Sequence, residues 1–259
     1  MKITSSPIPA AREIRNYLGW VNPHDYKIEE VALALGLYVK KARIDGAEGR
    51  LLINGKTGII TIKDNIKNLG KHNFVIAHEI GHFLLHKNKT ALYEDTENTL
   101  SEWHNYENKL EQEANVFATE LLMPSYLFIS KIKGKKLSID LIKDIASFFE
   151  VSLTACVLRY VNLGSFPSMV IFIEKGIIKW KRESIDFPFQ FLPIHTEVPA
   201  YTVAGDFFNG NGIEENPEKV NVIDWFPEDY EAQKKKHWRI YEQCFQVSKD
   251  GIITFLWTF

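Results

Sequence analysis

The sequence predicts an α+β protein with a mixed N-terminal part and a β-rich C-terminal part, and three observations carry that expectation. Apolar residues recur at spacings of three and four in several N-terminal stretches, as in helices with one buried face. Between two of those stretches lie short runs rich in Val, Ile and Leu around a glycine-bearing turn, which read as strands. After about Gly164 the composition shifts to β-favouring and aromatic residues with two hairpin-like turns.

Taken in chain order, residues 8–19 (IPAAREIRNYLG) and 28–35 (IEEVALAL) read as two helices. GLYVKKARI, EGRLLIN and GIITIKD follow as three short strands, with NGKTG, carrying Gly55 and Gly58, as the turn between the second and third. The helical pattern returns from Lys67 to Lys87. Residues 88–106 are polar and acidic and read as a loop. A further helix, ENKLEQEANVFATELLM, starts near Tyr106 and is stopped by Pro124. Short helices broken at Gly134 and around Val151 carry the chain to Gly164. SMVIFIEKGIIKWKRES then predicts a hairpin about Glu174-Lys175-Gly176, and CFQVSKDGIITFLWTF a second about Asp250-Gly251. The stretch between them, with Gly205, Gly210 and Gly212, reads as strand and loop. Its many aromatics are expected in a core, and EAQKKKHWRIYEQ (231–243) as a solvated basic helix or loop. No repeat of fixed period occurs.

Bulk composition removes several function classes. The 259 residues are 45% hydrophobic and 25% charged, as in a soluble globular chain. A net charge of −2 offers no bulk attraction for nucleic acid. Cys156 and Cys244 are the only cysteines, too few for a disulfide framework or a cysteine-based metal site. The N-terminus lacks an apolar signal-peptide core, and no run approaches the length of a membrane span, so a cytoplasmic protein without membrane contact is expected.

FVIAHEIGHFLLH (74–86) sets four ionisable residues in an otherwise apolar helix, where burying even one unpaired would cost several kcal/mol. His78-Glu79-Ile80-Gly81-His82 is H-E-x-x-H. Residues four apart share a helix face, so both imidazoles can reach one metal ion, with Glu79 beside the first as a base for an attacking water. The pattern also arises by chance; its apolar helix, the strands before it and the carboxylate-rich helix after it favour the metal. Gly81 leaves room for a close neighbour. His86 lies eight residues after His78, a rise of roughly 12 Å, too far to share the ion. The metzincin pattern would need glycine at 85 and histidine at 88, where this chain has Leu85 and Asn88. His86 is therefore expected to serve the helix end and its dipole. A third ligand must come from Glu107, Glu111, Glu113 or Glu120. A helical wheel leaves the choice open, because Glu111 and Glu113 flank opposite edges of the stripe formed by Leu110, Ala114, Phe117, Ala118 and Leu121.

HEIGHFLLH followed by EQEANVFATELLMP resembles the ImmA/IrrE family of zinc metallopeptidases, whose members carry HEIGH or HELGH and then E-x-EAN-x-FA-x-x-LLMP. The resemblance covers about residues 8–163 and implies a zincin-like domain over residues 1–128, a small three-stranded sheet plus helices. It implies zinc ligands at His78, His82 and Glu113, with Glu111 as the fallback, and Glu79 as catalytic base. A His₂Glu set also accepts other divalent ions such as Mn²⁺. The implied substrate is a protein, a helix-turn-helix repressor or similar factor cleaved in stress response or mobile-element control. For the oxyanion, His104, Tyr106 and Tyr126 are nearby in sequence, with nothing to choose among them.

LSIDLIKDIASFFEVSLTACVLRYVNLG, within residues 129–164, resembles the helix-turn-helix-like part that follows in the family, with Ser152 capping its second helix. That helix carries only Arg159 as a base, while Lys131, Lys133, Lys135 and Lys136 lie upstream. Packing or partner docking is therefore favoured over direct DNA contact. Residues 165–259 would form the β-rich domain, a sensor or a substrate-docking surface. The alternative to a peptidase is a DNA- or partner-binding regulator whose zincin domain is structural or weakly active.

Overall fold

Helix and strand signals in the first half resolve into helices packed on a small twisted sheet. The structure, a computed structural model, describes residues 4–86, 92–96, 109–213 and 216–258. Helix α1 (Pro7–Leu18) ends at Gly19, whose φ of +65° is the left-handed cap that glycine adopts at little cost. Helix α2 (Ile28–Ala34) leads into β1 (Leu37–Ala42), β2 (Ala47–Asn54) and β3 (Thr57–Lys63). Helix α3 (Leu69–His86) carries the H-E-x-x-H stretch. Next come β4 (Leu92–Thr96) and α4 (Lys109–Leu122), which stops just before Pro124.

The sheet order is β1-β3-β2-β4. The first strand runs parallel to β3, whereas β2 is antiparallel to both β3 and β4. The three expected strands are present, but the segment expected as a loop contains the fourth. LYEDT is too short and too acidic to read as a strand alone; it forms one by pairing with the edge of β2. Most of that loop, with His104, Tyr106 and Glu107, lies outside the described residues.

Helix α3 packs against β2 on one side and α4 on the other. A Cβ at Gly81 would stand 3.2 Å from the Ala114 Cα and 3.1 Å from Phe117 Cδ1, so glycine there lets the two helices approach closely. Ile76, Ala77, Ile80, Ala114, Phe117, Ala118 and Leu121 are fully buried along this seam.

Helices α5 (Ser125–Ile132), α6 (Ile139–Phe149) and α7 (Leu153–Leu163) follow, α7 starting directly after Ser152. The chain divides into two compact units, Met1–Phe128 with Ala146–Ser152, and Ile129–Ile145 with Leu153–Phe259, so the division falls inside α6.

In the second unit, β5 (Ser168–Glu174) and β6 (Ile177–Glu183) form the first expected hairpin. Lys175 and Gly176 take φ of 52° and 75°, the left-handed pair that a tight hairpin turn needs. Three short helices then interrupt the stretch expected as strand and loop: α8 (Val203–Phe208), α9 (Val222–Trp225) and α10 (Tyr230–Lys234), with β7 (Glu218–Asn221) between the first two. They are too short to show a helical period in sequence; α8 and α10 are set by the side-chain caps of Thr202 and Asp229. Strands β8 (Arg239–Ser248) and β9 (Gly251–Trp257) complete an antiparallel sheet of order β6-β5-β9-β8-β7. The basic stretch 231–243 is thus part helix and part strand. Phe187, Phe189, Trp225 and Phe226 are buried in the core against the sheet, as the aromatic content predicts.

Candidate metal centre

The last turns of α3 and the first turns of α4 bring five ionisable side chains together. His78 and His82, one turn apart, turn their Nε2 atoms toward each other at 2.9 Å. Glu111 reaches both from α4, with Oε2 3.1 Å from His78 Nε2 and Oε1 3.2 Å from His82 Nε2. These three residues offer ligand atoms that all lie within 4.8 Å of one another.

The opposite ring nitrogens are also held. His78 Nδ1 lies 2.9 Å from Asn115 Oδ1, an acceptor, so this nitrogen carries the proton and Nε2 keeps its lone pair. On the other side, His86 Nε2 lies 2.9 Å from a Glu113 carboxylate oxygen and donates to it. That leaves His86 Nδ1 to accept from His82 Nδ1, 3.1 Å away, so His82 Nε2 keeps its lone pair in turn. Three acceptors therefore converge with no proton of their own between them. Such a donor set fits a divalent cation, and the groups behind it fix ring orientation as outer partners of metal-bound histidines do.

Electrostatics agree with that reading. Burial lowers the His82 pKa to about 4 against the opposing pull of Glu111, so its imidazole is neutral at pH 7 and able to ligate.

Glu79 is fully buried beside His78, and its carboxylate lies against β2 at Gly49, where a Cβ would stand 2.6 Å from Oε1. Glycine at that strand position is what admits the side chain. Among the third-ligand candidates, Glu111 meets the histidine pair, whereas Glu113, the ligand implied by resemblance, meets His86 instead. The physical reason is register: the two glutamates leave opposite edges of the α4 stripe and reach different turns of α3. Glu120 is buried elsewhere, 2.9 Å from Arg12 Nε. Tyr126 is exposed and interacts with Arg15. His86 is the last residue of α3, as expected, yet it is buried and faces His82 rather than solvent. Asn115 was missed by reasoning from charge alone; its signal was the EAN triplet.

Residues 32–160 match the peptidase family described as the IrrE N-terminal-like domain. Through this domain the chain belongs to the ImmA/IrrE family. Metallopeptidase ImmA of Bacillus subtilis (strain 168) is 29% identical over 138 residues, spanning 52% of this chain and 75% of that protein. A solved Mycobacterium tuberculosis transcriptional regulator superposes with a TM-score of 0.61 over 96% of this chain and 76% of its own, at 15% identity, a likeness of fold alone. Among the described residues, no helix is long and apolar enough to cross a membrane.

Proposed function

We propose that the chain is a zinc-dependent endopeptidase that cleaves a protein regulator, with His78, His82 and Glu111 holding the ion and Glu79 acting as base. The observation that carries this reading is the convergence of two buried imidazoles and a carboxylate within 4.8 Å, on the helix pair that bears the H-E-x-x-H and E-A-N stretches. When bound, zinc supplies Lewis acidity that polarises the scissile carbonyl and acidifies water. Glu79 accepts the proton of the attacking water and returns it to the leaving amine, so one carboxylate serves both halves of peptide hydrolysis. Asn115 and the His86–Glu113 pair hold the two imidazoles in the ligating tautomer throughout.

The substrate we infer is a helix-turn-helix repressor encoded beside this gene. Metal analysis of the purified chain should give one zinc per molecule, and wild type should cleave that repressor while Glu79→Gln, still metal-loaded, does not. Equal cleavage by the variant would refute the role of Glu79. Manganese in place of zinc would change the ion without changing the ligand set.

A second reading is a DNA- or partner-binding regulator with a structural or weakly active zincin domain. It takes its cue from the M. tuberculosis protein of similar fold, a transcriptional regulator. Against direct DNA contact, Arg159, the sole basic residue of α7, is buried. A shift of duplex DNA at moderate salt would favour that reading over proteolysis.

A further inference from the structure

At the start of α3, within the first unit, lies a cavity of about 490 Å³. That volume is in the range of small-molecule sites. Its apolar wall is made by Trp20, Leu122 and Phe149, all buried. His72 and Asn73, from the first turns of α3, supply its polar lining. The Asn73 amide donates to the Glu150 carbonyl, and His72 Nε2 lies 2.7 Å from Glu29 Oε1. The other ring nitrogen of His72, Nδ1, is buried without a hydrogen-bond partner. Buried polar atoms are seldom left so; with Nε2 donating to Glu29 this nitrogen is an acceptor, and its place in a cavity lining points to a ligand that donates to it.

The charge around the cavity is unbalanced. Its two carboxylates are each engaged by a histidine, Glu29 by His72 and Glu150 by His24 at 3.4 Å. Lys27, Lys41 and Lys67 also line it and make no ion pair among the described residues. Three ammonium groups against two carboxylates leave the lining with a net positive charge, and an aromatic wall beneath it suits a molecule that is flat and apolar at one end and anionic at the other.

We propose that this cavity binds a small anion carrying a planar ring, of the nucleotide or aromatic-carboxylate type, with the ring against Trp20 and Phe149 and the anion at Lys41 and Lys67. The ligand would touch His72, on the same helix as His78, so one α-helix would serve both this site and the metal centre. Binding here needs no proteolysis, and its test stands apart from that of the peptidase.

Calorimetric titration of the full, metal-loaded chain would use adenosine monophosphate and 5-amino-1-naphthoate, each a ring-bearing anion with an amino donor for His72 Nδ1, with adenosine and inorganic phosphate as separated halves. At least one ring-bearing anion should bind at one equivalent, roughly tenfold or more tighter than either half. Binding of only one of the two identifies the source, nucleotide or aromatic carboxylate. K41M/K67M should weaken it roughly tenfold or more, while K133M/K135M, altered in the lysine run outside the cavity, should leave it unchanged. All four lysines are exposed, so both variants should melt like wild type. The imidazole nitrogen resonances of His72 should shift on titration. Four results would each overturn the proposal: no binding of either anion at millimolar concentration, phosphate binding as tightly as both, an unaffected K41M/K67M variant, or binding that leaves His72 unmoved.

Discussion

At the scale of single residues, the proposed third ligand turns on which carboxylate meets the histidine pair and which stands behind it. Glu111 lies 3.1 and 3.2 Å from the two Nε2 atoms, whereas Glu113 meets His86, which in turn meets His82. The two roles respond differently to substitution. Glu111→Gln removes a charged ligand and should leave the chain unable to retain metal through gel filtration. Glu113→Gln keeps an oxygen that accepts from His86 Nε2, so metal should be retained at close to the wild-type level. Glu113→Leu removes that acceptor and should cost about 10- to 100-fold in affinity. Metal content and competition with a chromogenic chelator read all three. The reverse order, with Glu113→Gln losing metal and Glu111→Gln keeping it, would make Glu113 the ligand. The convergence of His78 and His82 was legible because four-residue spacing on a helix is a geometric statement. The choice between Glu111 and Glu113 was not, because it depends on which turn of α3 each edge of α4 faces.

At the scale of elements, the site depends on how closely α3 is clasped between β2 and α4. A Cβ on Gly49 would stand 2.6 Å from Glu79 Oε1 and 2.7 Å from Val75 Cγ1, so the strand and the base share one space. Gly49→Ala should therefore displace the Glu79 carboxylate. Overpacking of this kind costs about 1–3 kcal/mol of stability. If Glu79 is the proton carrier proposed above, the loss of activity should exceed what unfolding explains, while metal content stays intact. Cleavage rates measured beside a urea melt would separate the two effects, and a variant as active as wild type would show that Glu79 does not work from this position. Elements long enough to show a period, such as α3 and α4, were legible in sequence, as were the two hairpins with their turn residues. Strand β4 and helices α8 to α10 were not. Each is only four to six residues long, too short to show its own period; β4 exists through its pairing with β2, and α8 and α10 through their caps.

At the scale of the whole molecule, the two compact units hold buried charge in opposite ways, and this gives them different chemical sensitivities. In the first unit a cation would satisfy the converging acceptors, and its binding would then add to folding free energy. The second unit buries Glu242 completely and surrounds it with donors: the Val203 and Ala204 amides at 3.1 and 2.9 Å and the Trp225 indole at 2.9 Å. Burial outweighs these hydrogen bonds and raises its pKa from 4.5 to about 7. The folded state thus favours the protonated acid. The resulting stabilisation is full below pH 4.5 and is lost as pH rises through 7, on the order of 3 kcal/mol across the window. Hydrogen exchange resolved by peptide should show the two sensitivities separately. Raising the pH from 5 to 8 should lower protection in β8, α8 and α9, after correction for intrinsic exchange, and Glu242→Gln should flatten that dependence. Chelation should lower protection in α3 and α4 instead, because a ligand present at about 100 times its dissociation constant contributes roughly 2.7 kcal/mol to the fold that binds it. If chelation left α3 and α4 unchanged while the pH effect appeared in β8, the His78–His82–Glu111 cluster would not be a metal site. If protection of the second unit were flat with pH in wild type, Glu242 would be ionised when folded, its surrounding donors compensating fully for burial.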